Sequence, residues 1–163
     1  MYTADFKQIK IEDVVNKIYD FYNNTMQYDT PFHIAIGTDS QNFKDTKVVS
    51  VITAWREGHG GIYFSDIERI NKIQNVREKL NYETQRSLTF ADHIMSIFES
   101  DNKYEDLYMN SNFVIHVDAG NNNNGKTKEL IPSLTGWVRS CGYECEVKPN
   151  SYAASSIADK ISK

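Results

Sequence analysis

The chain has 163 residues, 40% hydrophobic and 25% charged, enough apolar material for one domain with a buried core and too much for a disordered chain. Its formal net charge of −4 excludes a surface that is basic throughout, although Lys126, Lys128, Arg139, Lys148, Lys160 and Lys163 collect positive charge near the C-terminal end. No apolar run reaches bilayer-spanning length and the opening MYTADFKQIKIEDVV lacks a signal-peptide core, so no membrane partner is expected and the expected compartment is the cytosol, that of a host if the source is viral.

In chain order, IEDVVNKIYDFYNN (11–24) puts Ile11, Val14, Val15, Ile18 and Phe21/Tyr22 on one stripe and predicts an amphipathic helix. FHIAIGTDSQ (32–41), KVVSVITAWRE (47–57) and IYFSDIERI (62–70) read as three strands, and their short connections predict an antiparallel meander. From Val76 to Glu99 a long helix places Leu80, Thr84, Ser87/Leu88, Ala91, Ile94/Met95 and Phe98 on one face. NFVIHVDAG (112–120) is a fourth strand, and a helix after it carries Leu130, Leu134, Trp137, Val138 and Cys141 on a stripe, with Pro132 early where it does least damage. YECEVKP (143–149) is a fifth strand, and YAASSIADKISK closes as a helix. The order predicts an α/β fold: a five-stranded mixed sheet of three antiparallel strands followed by βαβ crossovers, helices on both faces, and an extra N-terminal helix. Right-handed crossovers put the fourth strand beside the first. Cys141 and Cys145 have no His or Cys partners at zinc spacing and are expected as buried thiols.

Gly120–Thr127 reads GNNNNGKT and matches the P-loop pattern G-x-x-x-x-G-K-[ST] between a strand and a helix. The rest of a P-loop enzyme is missing. Only one strand follows, and YECEVKP ends in Lys148 and Pro149 rather than in the acid that helps hold Mg²⁺. The run is expected to be a polar connector, with Thr127 as a helix cap, and to bind no nucleotide.

Two aspartates carry more chemistry. Asp39 sits at the end of an apolar strand in IAIGTDS and Asp118 likewise in VIHVDAG, and strand alternation places Asp39 with Ala35 and Gly37 on one face and Asp118 with Val114 and His116 on one face. On adjacent parallel strands both emerge at one sheet edge, where two carboxylates repel unless a proton or cation intervenes. Mg²⁺ or Mn²⁺, which favour oxygen ligands, meet that need. Glu83, beside Ser87 and Ala91, and Asp159, after a small-residue run, complete a four-acid constellation; Glu78 points further toward solvent. Taken singly, each acid also suits a plain role, as a strand-end turn former or a solvated helix charge. His116 is expected to be a satisfied buried histidine, and Lys148 and Lys160 are surface lysines able to meet phosphate.

The pieces IAIGTDSQ (34–41), ETQRSL (83–88), IHVDAGNNNNGKTKELI (115–131) and VKPNSYAASSIADKISK (147–163) resemble the YkuK-type ribonuclease H-like family of bacterial and phage proteins. The resemblance implies one ribonuclease H-like domain over residues 1–163, with 1–30 as a helical extension. It also implies two-metal phosphodiester chemistry on RNA, DNA or a hybrid, with two Mg²⁺ or Mn²⁺ ions held by Asp39, Glu83, Asp118 and Asp159. A non-catalytic module of the same fold, binding nucleic acid or protein, is the alternative, and a P-loop hydrolase the more remote one.

Overall fold

The computed structural model describes residues 1–5, 7–120 and 127–163. The interior of the GNNNNGKT run, residues 121–126 with Lys126, therefore lies outside the described residues. The strands are β1 (Tyr2–Thr3), β2 (Phe32–Asn42), β3 (Thr46–Arg56), β4 (Gly61–Ile70), β5 (Ser111–Val117) and β6 (Glu144–Val147), in the sheet order β1-β4-β3-β2-β5-β6. β2, β3 and β4 form the expected antiparallel meander, and β5 and β6 add in parallel beside β2. The sheet has one strand more than the five read from the sequence. That strand is β1, whose two residues pair with Ser65 and Phe64 and are too few to show any periodicity.

The helices are α1 (Ile11–Asn24), α2 (Val76–Ser100), α3 (Glu105–Met109), α4 (Ile131–Ser140) and α5 (Asp159–Ser162). Asn75 caps α2 by accepting N–H bonds from Arg77 and Glu78. The closing helix is divided: a π-helical turn over Ala153–Ala158 runs into α5. Cys145 is buried as expected, but Cys141 is exposed, because it sits at the C-terminal cap of α4, where its stripe leaves the core.

The two faces of the sheet are covered unequally. On one, Phe32, Ile34, Ile36, Ile52, Phe64, Ile115 and Val117 pack against α1, α2 and α4 in the main core. On the other, Val49 and Val51 meet Ala158, with Ile157 and Ile161 alongside, in a small separate cluster made by the C-terminal segment. β2 lies between both layers, and an unbroken buried run from Ile34 to Ser40 reflects that.

Ile115 is fully buried in the main core. Ile115→Ala is expected to lower the unfolding free energy by about 2–5 kcal/mol, read by urea denaturation with an unchanged slope.

Candidate functional site

The β2–β5 ladder pairs Gly37 with His116 and Thr38 with Val117. The next residues in this register are Asp39 and Asp118. Parallel pairing stops there, while β2 continues against β3 through Ser40, Gln41 and Asn42. Asp39 is therefore not at the end of its strand; it stands where the parallel ladder ends, beside the notch in pairing that this leaves between β2 and β5. Asp39 is 6% exposed, and Asp118 leaves β5 with its side chain 13% exposed.

Glu83 reaches this notch from the main-core face. Ser40 Oγ donates to Glu83 Oε1 at 2.6 Å, and Ser87, one helical turn on, shares a 2.9 Å hydrogen bond with Thr38. The spacing explains the fit. Four helical residues rise about 6 Å and two strand residues about 6.7 Å, so α2 and β2 stay in step along this pair of contacts. Ser87 and the fully buried Ala91 allow that close approach. Glu83 is itself only 4% exposed, whereas Glu78 is exposed, as its place on the helix implied.

The C-terminal segment arrives from the opposite face. Ser162 Oγ donates to Asp39 Oδ2 at 2.9 Å. Asp159 lies three residues earlier on the same turn, but its carboxylate is directed to Lys163 Nζ at 2.7 Å. The segment is anchored upstream by His116, whose Nδ1 accepts the Ala153 N–H at 3.1 Å, and by Tyr152, whose hydroxyl lies 2.9 Å from Thr53 Oγ1. His116 is 2% exposed, and burial pulls its pKa down to about 4. It is a neutral, satisfied histidine whose free proton sits on Nε2.

Asp39 and Glu83 both have raised proton affinity, and the charge of Asp118 contributes to each. For Asp39 burial is the main cause of a raised pKa; Ser162 opposes it, the Asp118 charge adds to it, and Lys79 opposes it. For Glu83 burial pushes the pKa up to about 8, opposed by Ser40 and by Lys79, whose Nζ is 4.0 Å from Oε1, and reinforced by Asp39 and Asp118. Lys148, at the end of β6, places Nζ 2.6 Å from Asp118 Oδ1. Lys160 is exposed and makes no ion pair with another described residue.

Asp39, Glu83 and Asp118 are thus near enough for charge to act between them, while Asp159 is directed to Lys163. Among the described residues no three His, Cys, Asp or Glu side chains converge as a metal-binding group. Ser162, Ser40, Lys148 and Lys163 each contact one of the four carboxylates. The donor set nevertheless suits a hard divalent ion. It is all oxygen, two of its members are buried, and their mutual repulsion is relieved by a cation. Ser40, Ser162 and Lys79 are the contributors that the sequence did not reveal. Ser40 adjoins Asp39 and Ser162 follows Asp159 by one turn, but neither carries a chemical signature that separates it from a surface serine.

A family model described as Ribonuclease H-like matches residues 13–163. The chain is 30% identical over 171 residues to the uncharacterized protein YkuK of Bacillus subtilis (strain 168), covering 99% of this chain and 96% of that one. Among solved structures, the Mos1 transposase catalytic domain, solved with raltegravir and Mg, aligns with a TM-score of 0.33 at 7% identity. That alignment covers 95% of this chain and 73% of that one, a likeness too distant to carry weight.

The protonated Glu83 makes stability depend on pH. Its carboxyl takes up a proton near 4.5 in the unfolded chain and near 8 in the fold, so the folded state is the proton-rich one and stability falls as pH rises through that window. His116 acts oppositely between about 4 and 6.5, where the unfolded chain is protonated and the fold is not. The fall is therefore clearest between pH 6.5 and 8. Without added divalent metal, wild type is expected to lose about 1–2 kcal/mol across that interval and Glu83→Gln to lose little, both read by urea unfolding. A flat wild-type profile would show that Glu83 is already ionised.

Proposed function

The chain belongs to the ribonuclease H-like family, and on that premise we propose that it is a divalent-metal-dependent nuclease that hydrolyses phosphodiester bonds of RNA, DNA or a hybrid. One observation carries this reading: carboxylates from a strand, a helix and a strand end, Asp39, Glu83 and Asp118, share one notch and sense one another's charge. A structural role alone does not account for burying two acids beside a third.

In this reading Asp39, Glu83 and Asp118 would hold the ions. Asp159 joins when it leaves Lys163. Two Mg²⁺ or Mn²⁺ ions held there would supply Lewis acidity, ionising a water and stabilising charge on the departing oxygen. The protein's own contributions are orientation and charge. Ser40 fixes Glu83 and Ser162 fixes Asp39, so both carboxylates are aimed before any ion arrives. Ionising Glu83 against its raised pKa releases a proton, so metal affinity should climb with pH toward about 8. Lys148 and, less directly, Lys160 are placed to neutralise phosphate. The cytosol is the proposed setting; no helix among the described residues is long and apolar enough to cross a membrane.

A non-catalytic nucleic-acid- or protein-binding module is the second reading. The hydrogen bonds and ion pairs already occupying all four carboxylates favour it.

Calorimetric titration with Mn²⁺ separates the two. Wild type is expected to bind saturably, and a folded Asp39→Asn/Asp118→Asn variant not at all. In an oligonucleotide cleavage screen, Asp39→Asn should lose at least about 100-fold in rate. Mn²⁺ binding absent both alone and with an oligonucleotide, alongside nucleic-acid affinity that survives chelation, would establish the module instead.

A further inference from the structure

We propose that Lys148 is the built-in counter-cation of Asp118: its ammonium occupies the carboxylate in the metal-free protein, competes with a divalent ion for it, and passes to a substrate phosphate when the ion enters. This rests on the reading of Asp118 as a metal ligand and adds to it the residue that controls occupancy.

The pair differs from the other lysine contacts around the notch. Lys163 and Asp159 are four residues apart on one helical turn, with side chains 65% and 30% exposed, an ordinary surface pair. Lys79 stands 4.0 Å from Glu83. Lys148 and Asp118 come from consecutive parallel strands, meet at 2.6 Å, and have side chains 39% and 13% exposed. Part of the pair is sheltered, so its charges are less screened than those of a surface pair.

The backbone builds the contact. The Lys148 N–H donates to the Ala119 carbonyl at 3.1 Å, extending the β5–β6 alignment past Val117↔Val147 and bringing residue 148 beside the 119–120 peptide. The Lys148 stem then lies across Gly120. A Cβ at residue 120 would stand 3.2 Å from Lys148 Cβ and 3.3 Å from Cδ, so a larger residue there would push the stem off its present course by a few tenths of an ångström. That course carries Nζ back to Asp118. The glycine that opens the GNNNNGKT run thus has a task unrelated to nucleotides.

The exchange follows from charge. Asp39 and Glu83 have lost solvent and accept from serine hydroxyls, and Glu83 has an ammonium only at 4.0 Å, whereas Asp118 has one at 2.6 Å. A divalent ion on Asp118 would face that ammonium at contact distance, and like charges there are strongly unfavourable. Lys148 has a flexible four-carbon stem and a side chain 39% exposed, so it can swing away. A phosphate delivered to the same notch offers it a new acceptor. Metal and nucleic acid then promote each other's binding, because each removes a cost that the other would meet.

Lys148→Met keeps the stem against Gly120 and deletes the charge; Lys148→Arg keeps the charge. In calorimetry at low salt, Lys148→Met should bind Mn²⁺ about tenfold more tightly than wild type. Lys148→Arg should stay near wild type, Lys163→Met should change little, and the gain from Lys148→Met should shrink as salt is raised. In wild type, the Lys148 side-chain methylene NMR signal, identified by its loss in Lys148→Arg, should move during a Mg²⁺ titration with the calorimetric midpoint. This second readout does not depend on any variant's stability. Equal or weaker Mn²⁺ binding by folded Lys148→Met, or a Lys148 signal that stays fixed while Mg²⁺ binds, overturns the counter-cation role and leaves the metal site standing. No metal binding by wild type, with or without an oligonucleotide, overturns both.

Discussion

The parallel pairing of β2 with β5 is the constraint on which the notch depends. A register that joins Gly37 to His116 and Thr38 to Val117 leaves Asp39 and Asp118 as the next neighbours, on the same side of the sheet. A slip of one residue would turn one aspartate to the other face and would also remove Ile34 and Ile36, or Ile115 and Val117, from the main core. The hydrophobic pattern that fixes the register for packing therefore fixes the charge cluster too. The two carboxylates need no separate device to bring them together.

That shared origin explains what was legible in the sequence. The meander, the crossovers and the neighbours of β2 are written in long alternating or helical apolar patterns, and residues 34–38 and 113–117 carry them clearly. Asp39 and Asp118 were readable because each lies at the end of the apolar run of a predicted strand. Glu83 was readable because Ser87 and Ala91 mark the flank of α2 that approaches β2. Features resting on a few long-range contacts were not. β1 is two residues long, α3 is one turn and a half, and the π-turn at Ala153–Ala158 looks helical by composition. The fourth acid shows the limit best: Asp159 lies on the right element, but its partner Lys163 is a local i,i+4 choice that periodicity does not settle.

The electrostatics of the notch are uneven in a way that suits one binding event. Glu83 holds a proton, Asp39 is biased toward one, and Asp118 holds an ammonium. Burial favours protons on Glu83 and Asp39, while Asp118 is met by a cation. The fold thus tolerates three acids in one place without a permanent positive residue buried among them.

The two hydrophobic clusters have a consequence for motion. The main core joins one sheet face to α1, α2 and α4, whereas the C-terminal segment is fastened to the other face by Val49, Val51 and Ala158 with Ile157 and Ile161, by the His116–Ala153 and Tyr152–Thr53 hydrogen bonds, and by Ser162 on Asp39. The free energy of a partial opening is set by the surface and hydrogen bonds it exposes. Detaching residues 151–163 exposes the small cluster and spares the large one, so this segment is expected to open at lower free energy than the sheet beneath it. Its last contact, Ser162 to Asp39, spans 123 residues of sequence, the longest separation among the side-chain hydrogen bonds described. Half of the notch is thus a hinged wall on a fixed floor: amides of β2 and β5 should exchange only with global unfolding, while those after Ser151 exchange through an opening that takes Asp159 away and leaves Asp39, Glu83 and Asp118 in place.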